Sequence, residues 1–272
     1  MPASAPSLPV LQPDAVAAAL AANSPLRVEV LPTIDSTNSE LARRAAKHDV
    51  HGLALAAEKQ TAGRGRQGRR WESAEGGSLS FSLGWRFPRT VGSLSGVTLA
   101  AGLAVARALE ATGYQGIELK WPNDLLHRGA KLGGILVELA GERTNASLAI
   151  VGVGLNLNLP PELRAAIGRP VTDLAAVSGQ TSIDRNALLA SILGELARAL
   201  DAFGTQGFAP LREDWERRHA LQQQRVELLL PDGGTASGIV LGVDADGALL
   251  LDGDGGARRF VSGEASLAGH RR

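Results

Sequence analysis

Hydrophobic and polar positions in the first two thirds of the chain follow two periods, that of a β-strand and that of an α-helix. Residues 78–87 (SLSFSLGWRF) alternate as a strand does, whereas apolar residues recur with helical spacing over residues 97–113. Two more strand-like runs, 131–140 and 146–158, are separated only by the polar turn GERTN. The remaining predicted strands are 26–32, 53–58 and 117–122, and the remaining predicted helices are 39–47, 186–203 and 209–220. Because short turns between consecutive strands favour antiparallel pairing, the pattern predicts a mixed α+β fold.

The pattern changes after Gln222 to short apolar runs separated by turn signals such as DGG, DADG and GDGG. About 50 residues of such hairpins predict a small β-barrel. The first dozen residues differ again, since they are rich in proline and lack apolar periodicity, and they predict a mobile tail. We therefore expect a tail and a short helix over residues 1–24, a large domain over 25–221 and a barrel over 222–272.

Composition narrows the classes of function. The chain has 28 basic and 28 acidic residues, which argues against a chain-wide electrostatic footprint for nucleic acid. The absence of cysteine excludes thiol nucleophiles and thiolate zinc sites. No apolar run approaches the roughly 20 residues of a membrane span, and the start has no signal-like core. We expect a cytoplasmic protein that does not bind membranes. We also expect no DNA binding, because the tail and short helix before the large domain are too short for a helix-turn-helix domain.

A loop rich in glycine and arginine, residues 63–71 (GRGRQGRRW), carries the strongest concentration of charge. It matches the dinucleotide fingerprint GxGxxG literally, but it leads into a predicted strand rather than a helix and lacks the acidic residue about 20 positions later. The Walker A alternative fails because Arg69 and Arg70 replace Lys and Ser/Thr. Glycine permits close backbone approach and arginine binds carboxylate and phosphate oxygens, so the loop predicts an anion clamp. A solvated basic turn remains the alternative.

Four further segments carry polar or flexible residues at the ends of predicted elements. Residues 36–40 (STNSE) fit a capping box with Thr37 as the N-cap and Glu40 at the third helical position. The turn at 120–124 (KWPND) exposes an amide and a carboxylate, as a ribose or magnesium contact requires, although a plain turn also explains it. The run KLGGIL from Lys131 places one ammonium beside two glycines, and GVGLN over 152–156 indicates either a ligand contact or a β-bulge.

In their order along the chain, STN, EKQTAGRGRQGRRW, KWPNDLL, KLGGILVEL, GVGLNLN and GEASL resemble the motifs of the biotin protein ligases, over Val28 to Leu267. The resemblance implies a mixed sheet akin to that of class II aminoacyl-tRNA synthetases, with an SH3-like barrel at the C-terminus. It also implies an enzyme that uses ATP and Mg²⁺ to convert biotin to biotinyl-5′-AMP with release of pyrophosphate. Biotin then passes to a lysine of the biotin carrier domain of a carboxylase. The implied form is the ligase alone, as a monomer or a weak homodimer.

Residue by residue, the resemblance implies three overlapping sets. The catalytic residues are Arg66, Arg69 and Lys131. The biotin-binding residues are Ser36, Thr37, Asn38, Gln60, Gly63, Arg64, Gly65, Arg66, Lys131 and Gly133. The nucleotide-binding residues are Arg69, Trp71, Lys120, Asn123, Asp124, Gly152, Gly154 and Asn156, with Asp124 also expected to bind Mg²⁺.

One departure concerns Ala268, which stands where many relatives carry an arginine, so that Arg271 or Arg272 is the expected substitute. Three rival functions remain: a lipoate ligase with the same chemistry, a non-catalytic sensor of biotin or nucleotide, and an RNA-binding RG protein. The residues of the arginine loop and of the KWPND motif favour a biotin ligase over a lipoate ligase. A net charge of zero argues against an RNA-binding protein.

Overall fold

A computed structural model describes residues 8–141, 146–180 and 182–268. The strands of the larger sheet are β1 (Arg27–Ile34), β2 (Leu53–Gln60), β3 (Ser78–Phe87), β4 (Glu118–Lys120), β5 (Asp124–His127), β6 (Ala130–Gly141) and β7 (Ser147–Asn156). The helices are α1 (Pro13–Ala19), α2 (Thr37–Ala45), α3 (Val97–Ala111), α4 (Pro161–Ala166), α5 (Leu174–Ser178), α6 (Arg185–Gln206) and α7 (Arg212–Arg217). A second sheet contains β8 (Arg225–Leu229), β9 (Thr235–Val243), β10 (Leu249–Gly253), β11 (Gly256–Phe260) and β12 (Glu264–Leu267).

The larger sheet has the strand order β1-β2-β3-β7-β6-β5-β4. Only β1 and β2 pair in parallel, because α2 connects them, and every other pair of this sheet is antiparallel. The second sheet is antiparallel throughout, in the order β11-β10-β9-β8-β12. The predicted α+β class with a small all-β C-terminal unit is confirmed, whereas the boundary near Leu221 stays a prediction.

The two faces of the larger sheet are covered by different helices. Leu79, Phe81 and Leu83 of β3 belong to the main core, which also contains the buried faces of α3 and α6. The opposite face carries α2, whose Leu41 packs with Leu55 and four other apolar residues in a smaller cluster. Because side chains alternate across a strand, Ser80 and Ser82 of β3 point toward the α2 side. The sheet therefore has a thick apolar side and a thinner side with small polar residues.

The expected mobile tail is wrong for residues 8–12, while residues 1–7 lie outside the described ranges. Leu8 and Leu11 are buried in the main core. The backbone N–H of Leu11 donates to Glu58 Oε1 at 2.6 Å, and Arg185 Nη1 donates to the carbonyl of Pro9 at 2.9 Å. Glu58 and Arg185 are themselves a buried ion pair at 2.8 Å. The segment is held because it adds hydrogen bonds to both members of this pair.

Several predicted boundaries also differ. The N-cap of α2 is Ser36, not Thr37, since the Ser36 hydroxyl accepts from the N–H of Ser39. Glu40 therefore lies one residue beyond the capping-box position, and its carboxylate accepts a hydrogen bond from Arg44. Predicted strand 117–122 ends at Lys120, and predicted helix 209–220 is a 3₁₀ turn followed by the short α7. The strands β5 and β12 and the helices α4 and α5 were not predicted. Among the described residues, no helix has the length and apolar character needed to span a membrane.

His219 lies where the chain passes from the larger sheet to the second one. The backbone on either side of it bonds Leu119 of β4, with Leu119 N to Arg218 O and Ala220 N to Leu119 O both 2.8 Å. Its ring packs on Trp215 at a centroid distance of 4.6 Å, and its Nε2 has no partner among the described residues. Burial lowers the pKa of His219 from 6.5 to about 4. The imidazole is therefore neutral in the folded protein at neutral pH.

We expect His219 to make folding sensitive to acid. Since its pKa is lower in the folded state, its contribution to stability is complete above pH 6.5 and is lost as pH falls toward 4. Relative to His219→Gln, the wild type should lose up to about 3 kcal/mol of unfolding free energy across this window. Urea unfolding at pH 7, 5.5 and 4.5 measures the difference, and parallel curves for the two proteins would contradict it.

Candidate active site

An open cavity lies on the α2 side of the larger sheet. The arginine loop, the N-terminus of α2, the β4–β5 turn and strands β6 and β7 surround it. It brings together fifteen of the residues predicted from sequence. They are Ser36, Thr37, Asn38, Gln60, Arg64, Gly65, Arg66, Arg69, Trp71, Lys120, Asn123, Asp124, Lys131, Gly152 and Gly154.

Part of the cavity floor is a stretch of the sheet with small residues. Gly152 and Gly154 of β7 pair with Ser82 and Ser80 of β3, and Gly134 of β6 pairs with Gly154. A Cβ atom on Gly152 would collide with the side chain of Asn38, and one on Gly154 would collide with the indole of Trp71. The glycines are therefore required for Asn38 and Trp71 to lie against the sheet, and they are not a β-bulge.

One end of the cavity is a buried polar network at the N-terminus of α2. Gln60 Oε1 accepts from the backbone N–H of Thr37 at 2.9 Å and from its hydroxyl at 3.2 Å. Ser82 Oγ lies 2.7 Å from Thr37 Oγ1 and 2.6 Å from Asn38 Oδ1. Asn38 Nδ2 donates to Glu138 Oε2 at 2.8 Å. This end presents fixed donors and acceptors with the positive end of the helix dipole.

The arginine loop is a tight hairpin. The N–H of Trp71 donates to the carbonyl of Gly63 at 2.9 Å, and that of Gly65 donates to the carbonyl of Arg69 at 2.7 Å. At the tip, Gln67 and Gly68 have left-handed φ angles of 55° and 73°. No α-helix follows, which agrees with the rejection of the dinucleotide fingerprint.

Three of the loop arginines already have carboxylate partners. Arg64 pairs with Glu138 at 2.7 Å, Arg69 with Glu264 at 2.5 Å and Arg70 with Glu72 at 3.2 Å. Arg66 differs, because its Nη1 is 3.4 Å from both Asn123 Oδ1 and the carbonyl of Gly263 and it pairs with no carboxylate of the described chain.

Arg66 is also half-buried, and this burial lowers the pKa of its guanidinium. A cation that is removed from water and incompletely paired attracts an anionic ligand. The loop is thus an ordered cationic wall rather than a solvated turn.

Lys131 is the most buried cation of the cavity. Its side chain is 13% exposed and forms an ion pair with Asp124. Burial lowers the pKa of Lys131, the charge and hydrogen bond of Asp124 oppose this effect, and the positive charges of Arg169 and Lys120 add to it. The ammonium lies 5.9 Å from the ring centroid of Trp71. The Nε1 of Trp71 is buried and has no hydrogen-bond partner among the residues described.

Three predicted residues do not line the cavity. Gly63 closes the base of the hairpin, since a Cβ there would be 2.5 Å from the carbonyl of Trp71. Gly133 faces the other side of the pleat from Gly134, and its backbone packs against Leu155. Asn156 is buried, and its Nδ2 donates to the carbonyls of Lys131 at 3.4 Å and Thr172 at 3.0 Å. These three residues support the residues that line the cavity.

Other lining residues were missed by sequence reasoning. They are Arg70, Phe81, Trp121, Pro122, Gly134, Ile135, Leu136, Val153, Arg169 and Glu264. Glu264 had a signal, because it belongs to the GEASL motif, but no role was assigned to it. Arg169 belongs to no motif and reaches the cavity only through the fold. Ala268 is exposed and contributes no charge, and Arg271 and Arg272 lie outside the described residues.

A metal ion would have few protein ligands here. In the described part of the chain, no three His, Asp or Glu side chains cluster in a way that could hold a metal. The carboxylates of the cavity lining, Asp124 and Glu264, are both paired with cations. Mg²⁺ in nucleotide sites commonly takes one or two carboxylates together with phosphate oxygens and water. Asp124 fits such a site, in which the nucleotide supplies the remaining ligands.

Comparison with known proteins agrees with the resemblance noted in the sequence. Residues 30–156 match the Biotin/lipoate A/B protein ligase family, and residues 224–268 match the Biotin protein ligase C terminal domain. The bifunctional ligase/repressor BirA of Escherichia coli is 37% identical over 88% of this chain and 74% of its own length. The biotin--[acetyl-CoA-carboxylase] ligase of Mycobacterium tuberculosis is 36% identical over 83% of both chains.

A solved structure of the biotin protein ligase from Aquifex aeolicus, in complex with biotin and ATP, is similar in fold as well. It superposes with a TM-score of 0.74 at 32% identity and covers 88% of this chain and 97% of its own. Both the identity and the extent of these matches exceed what a shared fold alone produces. With the motifs brought to one cavity, they establish that the chain belongs to the biotin protein ligase family.

Proposed function

We propose that the chain is an ATP-dependent biotin protein ligase, which forms biotinyl-5′-AMP and pyrophosphate and then transfers biotin to a lysine of a biotin carrier domain. The observation that carries this proposal is the presence of a largely buried ammonium, Lys131, and a half-buried guanidinium, Arg66, in one cavity with a polar end. Membership of the family and the names of the relatives support it.

The polar end of the cavity, at the N-terminus of α2, suits the head group of biotin, which is a cyclic urea with two N–H donors and one carbonyl acceptor. Thr37, Asn38 and Gln60 offer donors and acceptors that are held by their own hydrogen bonds. Ser36 and the hairpin residues Arg64 and Gly65 complete the proposed biotin contacts. The dithiolane ring of lipoate makes no comparable hydrogen bonds, so it would leave these buried polar groups without partners.

The first step joins two anions, the carboxylate of biotin and the α-phosphate of ATP. Their repulsion must be screened and the attack aligned. Lys131 lies on the cavity floor between the polar end and the Asn123–Asp124 turn, where it can contact both the carboxylate and the α-phosphate. Arg66 and Arg69 are placed to stabilise the charge that develops on pyrophosphate, provided that Arg69 exchanges Glu264 for phosphate. No covalent bond to the enzyme is required.

The nucleotide is proposed to lie along Trp71, Lys120, Asn123 and the glycines of β7. Mg²⁺ would bind Asp124 together with the phosphates, where it supplies additional positive charge. In the second step, the ε-amine of a carrier-domain lysine attacks the carbonyl of the adenylate and releases AMP. We propose the cytoplasm as the compartment and a monomer or weak homodimer as the state.

Substitution of the two central cations should abolish adenylation. Lys131→Ala and Arg66→Ala should each lower biotin-dependent exchange of labelled pyrophosphate into ATP by about 100-fold or more, because each removes a charge that stabilises the transition state. The exposed Lys47, substituted by alanine, is the matched control and should exchange as the wild type does.

Lipoate should not support exchange in the wild type. Exchange with lipoate but not with biotin would overturn the substrate, and near wild-type exchange in both cation variants would overturn the site. A wild-type protein that binds biotin and ATP without exchange would instead be a sensor.

Removal of the metal should stop the reaction, and Asp124 should set the requirement for it. Chelation by EDTA should abolish exchange, and Mg²⁺ should restore it. In Asp124→Asn the concentration of Mg²⁺ for half-maximal exchange should rise about tenfold, because a neutral amide is a weaker ligand than a carboxylate. An unchanged Mg²⁺ dependence in this variant would remove Asp124 from the metal site.

A further inference from the structure

Seven cationic side chains line the cavity, but they are not equally neutralised. Arg64, Arg69, Arg70 and Lys131 each pair with a carboxylate. Arg66, Lys120 and Arg169 have no carboxylate partner within the described ranges. Of these three, Lys120 and Arg66 belong to motifs that were assigned from the sequence, and Arg169 does not.

Arg169 is exposed, and its side chain makes no hydrogen bond or ion pair with any residue that the structure describes. An arginine without partners on a protein surface is ordinarily solvated and unremarkable. This one differs because it borders the cavity, and because its positive charge acts on the buried ammonium of Lys131. Such repulsion destabilises the empty site and is relieved when an anion binds between the two cations.

The backbone around Arg169 is fixed relative to Lys131. Gly168 has a left-handed φ of 68° after α4, and Pro170 disfavours the helical conformation for Arg169. The N–H of Lys131 donates to the carbonyl of Pro170 at 3.0 Å, and the N–H of Thr172 donates to the carbonyl of Lys131 at 2.9 Å. Lys131 and Val171 thus form a parallel bridge.

The far end of this segment is anchored as well. Asn156 Nδ2 bonds the carbonyl of Thr172, and Asp173 caps α5 through the N–H of Ala176 at 2.8 Å. Arg169 therefore starts two residues, roughly 7 Å of extended chain, from the residue that pairs with Lys131. Its guanidinium has a defined reach over the cavity, although the side chain itself is free.

We propose that Arg169 is a further nucleotide-binding residue of this ligase, which contacts the β- and γ-phosphates of ATP and the pyrophosphate that leaves. The inference rests on the proposed function. Lys131 is largely buried and Arg169 is exposed, so Arg169 lies on the solvent side of Lys131. If Lys131 contacts the α-phosphate, the outer phosphates extend toward the mouth of the cavity, where Arg169 is an exposed cation without a partner in the described part of the chain. The planar guanidinium suits two phosphate oxygens at once.

The test compares Arg169→Ala and Arg169→Lys with the control Arg225→Ala, which removes an exposed arginine of β8 away from the cavity lining. Calorimetric titration should show that Arg169→Ala weakens binding of MgATP and of pyrophosphate about tenfold, with the affinities for AMP and biotin unchanged. In the exchange assay the KM values for ATP and pyrophosphate should rise by the same factor. Arg169→Lys should recover part of the loss, and thermal unfolding of all variants should match the wild type.

Wild-type affinities for both MgATP and pyrophosphate in Arg169→Ala would overturn the proposal. An equal loss of affinity for AMP and MgATP would also overturn it, because Arg169 would then contact the adenosine monophosphate part of the nucleotide. A loss confined to biotin would assign Arg169 to the other substrate. If the wild type binds MgATP but catalyses no biotin-dependent exchange, the proposed function fails, and the titrations still decide the role of Arg169.

Discussion

The burial of the Lys131 ammonium is the constraint on which the rest of the site depends. A cation that is largely removed from water is stable only when charge and hydrogen bonds compensate it. Asp124 supplies the charge, and the register shift between β5 and β6 brings the two residues together. The backbone of Lys131 is held by Pro170 and Thr172, so the ammonium cannot relax toward solvent by moving its strand. An anion that binds near Lys131 therefore meets a charge that is already positioned.

The second requirement is space above the sheet. Bulky side chains at positions 152 and 154 would exclude Asn38 and Trp71, and the cavity would lose both its polar end and its indole wall. The serines of β3 opposite these glycines are small, and one of them, Ser82, also bonds Thr37 and Asn38. Shape and hydrogen bonding of the cavity thus arise from the same few small residues, and the main apolar core lies on the other side of β3.

Sequence patterns predicted the elements better than their details. The alternation of SLSFSLGWRF gave the bounds of β3 correctly, because one face is apolar and the other is small and polar. The N-cap of α2 was misplaced by one residue, since Ser36 and Thr37 are both good capping residues. Gly133 was assigned to the cavity together with its motif, but the pleat turns it away and directs Gly134 inward. A motif does not reveal which of the two alternating sets of side chains on a strand faces the ligand.

Other features depend on contacts between segments that are distant in sequence. Residues 8–12 read as a tail because their few leucines have no periodicity, yet they are held by Glu58 and Arg185, which are far away in sequence. Glu264 and Arg169 reach the cavity from the second sheet and from the segment after α4. Their positions depend on how distant segments pack, and no periodicity or motif encodes that.

The ion pair between Arg69 and Glu264 joins the arginine loop to β12 of the second sheet. A guanidinium bound bidentately to a carboxylate has little left to offer a phosphate, so any anion that takes Arg69 must first release Glu264. Binding of that anion and the contact between the two sheets are then thermodynamically linked, and each weakens the other by the same factor. If Arg69 binds phosphate as proposed, Glu264 of the second sheet therefore lowers the nucleotide affinity, and occupation of the site loosens the contact between the two sheets.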